Sequence, residues 1–131
     1  MIIDTSALIA LLQGESSAEA IDIATESATW RGISAATLLE ASIVADGTSD
    51  PVRSARFDAL VAGLDIEVVP LTAAHAAIAR QAYRDFGKGS GHPAKLNFGD
   101  CFSYALAKER GEPLLYVGDD FAHTDIASAL G

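Results

Sequence analysis

Cysteine occurs once in these 131 residues, at Cys101, so the chain can form no internal disulfide and no cysteine-rich zinc site. No apolar run approaches the length needed to span a bilayer. The N-terminal residues lack a basic stretch ahead of an apolar core, so no signal peptide is expected, and a cytoplasmic protein is. Histidine stands only at positions 75, 92 and 123, a spacing that matches no zinc pattern. Internal repeats and low-complexity linkers are missing as well. Positive charge is scarce: nine Lys and Arg against 18 Asp and Glu give a net charge of −9. Taken alone, that balance argues against nucleic-acid binding. The exception is an enzyme whose acids hold divalent metal, because the ions reverse the local sign.

What is present fits one globular domain spanning residues 1–131, with half of its residues apolar and a length sufficient for a real core. The charge is uneven. Residues 1–69 carry 11 acids and 3 bases, and residues 70–131 carry 7 acids and 6 bases. All six of those bases fall between Arg80 and Arg110, a basic strip in an acidic chain.

The opening "MIIDTSALIA" is a strand of minimal length that runs straight into a carboxylate, Asp4. Asp4 can serve as a helix cap, or the strand can exist to hold it at a sheet edge. Thr5 or Ser6 can also cap a helix carrying Leu8, Leu11 and Leu12. Ser16 or Ser17 opens a helix through about residue 26, and "TWRGIS" reads as a short strand. Ser34 caps a helix to about residue 45, and Pro51 begins one that ends near Gly63. "DIEVVPL" reads as a buried strand, followed by an alanine-rich helix from Thr72 to about Phe86. "GKGSGHPAKLN" is a cationic glycine-rich loop. Asn97 caps a helix stopped by Gly111, and "PLLYVG" is the last strand. Strands alternating with helices imply an α/β fold with a mainly parallel sheet, in which functional groups gather beyond the carboxyl ends of the strands.

Several acids fall there. Asp4 follows the first strand, and Asp119 and Asp120 follow the last. Glu40 lies on or beside the apolar stripe of its helix, next to Leu39, Ile43 and Val44. Asp100 lies off the stripe formed by Phe98, Cys101, Phe102, Ala105 and Leu106, in the first turn after Asn97. Each acid alone has a plain structural reading: Glu40 reaches water at the edge of its stripe, and Asp100 complements the helix dipole. Together they would repel one another unless they shared a hard cation, and Mg²⁺ and Mn²⁺ suit such an all-oxygen site. Cys101 reads as a core thiol. In the loop, Lys88 and Lys95 are candidates to touch a phosphate backbone.

The segments "IIDTSALIALL", "ISAATLLEASIV" and "LNFGDCFSYALAKERGEPLLYVGDDF" resemble, in that order and spacing, PIN-domain ribonucleases and specifically the VapC toxins of bacterial toxin–antitoxin pairs. The resemblance covers nearly the whole chain. It implies a Rossmann-like three-layer α/β/α fold and a Mg²⁺- or Mn²⁺-dependent endoribonuclease. Asp4, Glu40 and Asp100 match the family's first three acids, with Asp4 and Asp100 as the main metal ligands and Ser6 supporting Asp4. The fourth acid often stands two residues before the closing Asp-Phe pair, where this chain has Gly118. Asp119, shifted by one, is the expected substitute, with Asp120 expected to cap the next element. The resemblance further implies a homodimer, a VapB-type antitoxin that inserts an arginine into the acidic cleft, and a structured RNA substrate such as tRNA.

Two other enzyme classes with acids at strand ends fit less well. A receiver-like phosphoacceptor domain would need paired acids after the first strand and a lysine after the last. A dehalogenase-like phosphatase would need an aspartate where Ser6 stands. A non-catalytic binding module is opposed by the retention of all three acids.

Overall fold

A computed structural model describes the whole chain, Met1–Gly131. Strand β1 (Ile2–Ile3) leads into helices α1 (Thr5–Gln13) and α2 (Ala18–Ser27), then β2 (Gly32–Ser34). Helices α3 (Ala35–Asp46) and α4 (Pro51–Gly63) precede β3 (Glu67–Val69). The remainder is α5 (Ala73–Phe86), α6 (Phe98–Arg110), β4 (Leu114–Leu115) and a 3₁₀ turn at Phe121–His123. The four strands form one sheet in the order β3-β2-β1-β4, and every pairing is parallel. Ile2 lies opposite Gly32 on one side and Leu114 on the other. The order reverses at β1, because the chain builds outward to β3 and then returns to add β4 on the far side. Asp4 and the segment after β4 therefore meet at the topological switch point, where open α/β sheets place their sites.

The two-residue period of a strand divides the core. Ile2 and Leu114 point into a cluster with Ala79 and Ala82 of α5 and Tyr104, Ala105 and Leu106 of α6. Ile3, Ile33 and Leu115 point the other way, among Ala7 and Leu8 of α1, Ala41 of α3 and Phe57 of α4. The three layers follow directly. Each fully buried Ile or Leu here contributes about 1.5–3 kcal/mol relative to exposure.

Local chemistry sets the helix ends. Gly14 and Gly111 close α1 and α6 in the left-handed region, at φ 63° and 64°, where a Cβ would be strained. Asp50 caps α4 ahead of Pro51, its carboxylate accepting from Val52 N–H. Arg31 clamps the C-terminal ends of α2 and α4: its Nε donates to the Leu64 carbonyl at 2.6 Å and its Nη1 to the Thr25 and Ala28 carbonyls at 2.7 and 3.1 Å. Arg31→Ala strands those carbonyls and is expected to destabilise the fold by about 2 kcal/mol, read as a lower urea midpoint.

The structure decides one expectation and corrects three. Of the candidate caps of α1, the cap is Asp4, whose side chain accepts from Ser6 N–H, and not Thr5 or Ser6. Strand β3 is not buried: Glu67 and Val68 face solvent because it is a sheet edge paired only to β2. Helix α3 buries Thr37, Ala41 and Ala45, leaving Leu39, Ile43 and Val44 on the outside. Helix α6 is buried on most of its surface, yet Phe98, expected in its stripe, is 76% exposed.

Candidate active site at the carboxyl ends of the strands

Asp4 ends β1 and begins α1, and both roles need the same carboxylate. It is only 3% exposed. Its Oδ2 accepts from Ser6 N–H at 3.0 Å and from Ser6 Oγ–H at 2.7 Å, while its Oδ1 accepts from Ser103 Oγ–H at 2.6 Å. Ser6 Oγ in turn accepts from Val117 N–H at 3.0 Å, which ties the first acid to the segment leaving β4. No cation touches Asp4. None of the protein's three ion pairs involves Asp4, Glu40 or Asp100.

Glu40 is brought to the site by two neighbours. Thr5 Oγ–H donates to its Oε1 at 2.6 Å. Its other oxygen lies against Gly99, so close that a Cβ on that residue would stand 1.7 Å from Oε2. A side chain at position 99 would therefore exclude the carboxylate from the N-terminus of α6.

Asp100 occupies the third position of α6 and closes a capping box. Its N–H donates to Asn97 Oδ1 and its Oδ2 accepts from Asn97 N–H, both at 2.9 Å. The helix-cap reading of this acid is therefore correct, but it describes one oxygen only; Oδ1 takes no hydrogen bond from the protein. Burial, and then the negative charges of Asp4, Asp120 and Glu40, raise its pKa from 3.8 to about 7 against the lowering effect of the Asn97 N–H. The acids thus lie near enough for their charges to act on Asp100.

Asp120, not Asp119, is the acid after β4 whose charge reaches Asp100. Asp120 precedes the 3₁₀ turn but makes no side-chain cap, so its carboxylate is uncommitted. Asp119 is also exposed, and its backbone carbonyl accepts from Ala122 N–H. Lys88 and Lys95 are exposed and unpaired at the neck of the loop before α6, closed by Lys88 N–H donating to Leu96 O at 2.9 Å. Cys101 is buried, and burial followed by the charge of Asp100 pushes its thiol up to about 11, the opposite of what a reactive thiolate needs. Sequence reading missed Thr5, Gly99 and Ser103; the last two flank Asp100 at −1 and +3, and only the packing of α3 on α6 gives them a role.

No three or more His, Cys, Asp or Glu side chains stand close enough together to hold a metal ion on their own. The donor chemistry nonetheless fits Mg²⁺ or Mn²⁺. The acids offer only hard oxygens, Asp100 Oδ1 and Glu40 Oε2 are free of hydrogen bonds, and Mg²⁺ binds through one or two carboxylates while keeping several waters.

Residues 1–127 match the PIN domain family. The chain belongs to that family. Within it, ribonuclease VapC28 of Mycobacterium tuberculosis is 53% identical over 130 residues, covering 99% of this chain and 98% of the relative. Ribonuclease VapC42 of the same organism is 46% identical over 129 residues, covering 98% of each. This PIN domain is accordingly a VapC-type ribonuclease. Its fold agrees with the crystal structure of VapC20 of M. tuberculosis, a toxin that cleaves the sarcin–ricin loop, at a TM-score of 0.73 and 18% identity over 96% of this chain and 95% of that one. A toxin–antitoxin complex from Klebsiella pneumoniae aligns at 0.67 and 19%, over 92% and 89%. The PIN domain has no helix long and apolar enough to cross a membrane.

Proposed function

We propose that this VapC-type toxin cleaves a structured RNA at the cleft between Asp4, Glu40, Asp100 and Asp120, with Mg²⁺ or Mn²⁺ held mainly by Asp4 and Asp100. The observation that carries the reading is the convergence of acids from separate elements on the first turns of α6: Asp4 bonded to Ser103, Glu40 seated against Gly99, and Asp100 itself, with no protein cation paired to any of them. The ion would activate water for attack on phosphorus and offset charge on the leaving oxygen, giving 5′-phosphate and 3′-hydroxyl ends. Asp4, fixed at both oxygens, supplies a rigid anchor. Asp100 Oδ1, which takes no hydrogen bond from the protein, is the oxygen available to the ion. Glu40, steadied by Thr5, orients water on the α3 side. Lys88 and Lys95, exposed and without an ion pair in the loop before α6, are suited to the phosphate backbone flanking the cut.

Asp120 takes the fourth position in this reading in place of Asp119. Asp120→Asn is expected to lower cleavage about tenfold or more and Asp119→Asn less than twofold, measured as initial rates on one RNA. Equal losses in both would remove the distinction.

An antitoxin of the VapB type is the proposed partner. Phe98 separates two apolar grooves of about 520 and 370 Å³, the smaller lined by Leu39, Ile43 and Val44 together with Glu40 and Gly99. An apolar segment carrying one arginine could cover that surface and place its charge among the acids. A homodimer is proposed on family grounds. The deciding test incubates EDTA-stripped protein with total RNA and a tRNA panel, with and without Mg²⁺ or Mn²⁺. Metal-dependent cutting at a defined site supports the proposal; metal-independent cutting, or none with any RNA, removes it.

A further inference from the structure

Ser103 and Thr37 have no place in the chemistry above, yet both are wholly buried hydroxyls between α6 and α3. Valine and alanine would fill those positions without the cost of burying polar groups. Thr37 Oγ and Ser103 Oγ are 3.2 Å apart, and Ser103 Oγ is 2.6 Å from Asp4 Oδ1. Ser103 has one hydroxyl hydrogen, and it goes to the carboxylate. Thr37 must then donate to Ser103, so the relay runs one way, from Thr37 through Ser103 to Asp4, and each bond polarises the next.

We infer that this hydroxyl relay positions Asp4 for a divalent cation, with Ser103 as the positioning residue. Ser6 grips Oδ2 from α1 and Ser103 grips Oδ1 from α6, so the carboxylate plane is fixed from two elements. A lysine or arginine could hold Asp4 as firmly but would cancel the charge the cation needs. Hydroxyls orient the carboxylate and leave its charge in place. Such outer partners of a metal-binding group typically change affinity 10–100-fold when removed. The inference rests on the metal-site reading above and adds which buried residues tune it.

The test is Mn²⁺ titration by calorimetry of the wild type, Thr37→Val, Ser103→Ala and the double variant, with thermal melts in EDTA alongside. Ser103→Ala is expected to weaken Mn²⁺ about tenfold. It should also lower the melting temperature by ~5 °C, because the Thr37 hydroxyl loses its acceptor and Asp4 Oδ1 its donor. Thr37→Val alone leaves the Ser103 bond to Asp4 and should hold Mn²⁺ within about threefold of wild type. The double variant removes the stranded hydroxyl but not the loss of a donor at Asp4 Oδ1, so its melting temperature should recover in part while Mn²⁺ binding stays weak. A purely structural role predicts that stability and Mn²⁺ affinity recover together, and that result overturns the inference, as does wild-type affinity in Ser103→Ala. If the wild type binds no Mn²⁺, the metal site and the relay's purpose fall together; if it binds and the variants match it, only the relay falls.

Discussion

Asp100→Asn is expected to abolish RNA cleavage while making the protein more stable above neutral pH in EDTA. The loss of activity follows from removing a charged oxygen ligand, and should exceed about 100-fold, beyond the usual cost of losing an outer partner. The gain in stability follows from linkage. Asp100 titrates at about 7 in the folded chain against an ordinary 3.8. Between those values the folded protein keeps a proton that the unfolded chain has released, so stability falls as pH rises through that window. The penalty is complete above about pH 7 and absent below about pH 4. Asparagine keeps an acceptor for Asn97 N–H and carries no charge, so it escapes the penalty. After discounting for partial solvent screening, the variant should gain ~1–2 kcal/mol at pH 8 and nothing at pH 4, read as urea midpoints at both values. Adding Mg²⁺ should narrow or reverse the difference, since only the wild type gains from ligand binding. A variant that still cuts RNA, or one whose stability relative to wild type is no greater at pH 8 than at pH 4, would contradict the assignment of Asp100.

The second large effect separates function from stability at a residue without a side chain. Gly99→Ala places a methyl where Glu40 Oε2 now lies, 1.7 Å from the built Cβ. The obstructed group is the far end of a flexible side chain, so Glu40 can swing away at little energetic cost. Alanine in a helix is also favoured over glycine by about 0.5–1 kcal/mol. The variant should therefore fold at least as well as wild type and melt no lower. Cleavage should fall on the order of tenfold to a hundredfold, because Glu40 has lost its place beside Thr5 and the mouth of α6. Glu40→Gln in the Gly99→Ala background should then add little, since the carboxylate is already displaced. Additive losses in that double variant would mean the methyl acts by some other route.

Much of this protein was legible in one dimension. The six helices and four short strands follow from capping residues, glycine stops and apolar periodicity, because each depends on neighbours within a few residues, and their alternation implies a parallel sheet, though not its strand order. The motifs around Asp4, Glu40 and Asp100 carried the family, and the match across residues 1–127 agrees with them. The misreadings concerned faces. Periodicity shows that Leu39, Ile43 and Val44 form a stripe, but burial depends on what packs there, and α3 turns its small residues, Ala41 and Ala45, inward instead.

The detailed site was decided by tertiary packing. Sequence alone places Asp4 at a strand end. Only the return of α6 past β1 puts Ser103, 99 residues away, on its free oxygen. Likewise, the family spacing favoured Asp119 over Asp120, whereas the turn after β4 leaves Asp120 uncapped and brings its charge to Asp100. The sequence by itself determined that acids would stand at the carboxyl ends of a parallel sheet, since strand length and capping are local. Which oxygens stay free, which glycine must remain bare and which hydroxyls grip Asp4 were set by the distances between helices, and local chemistry cannot encode those.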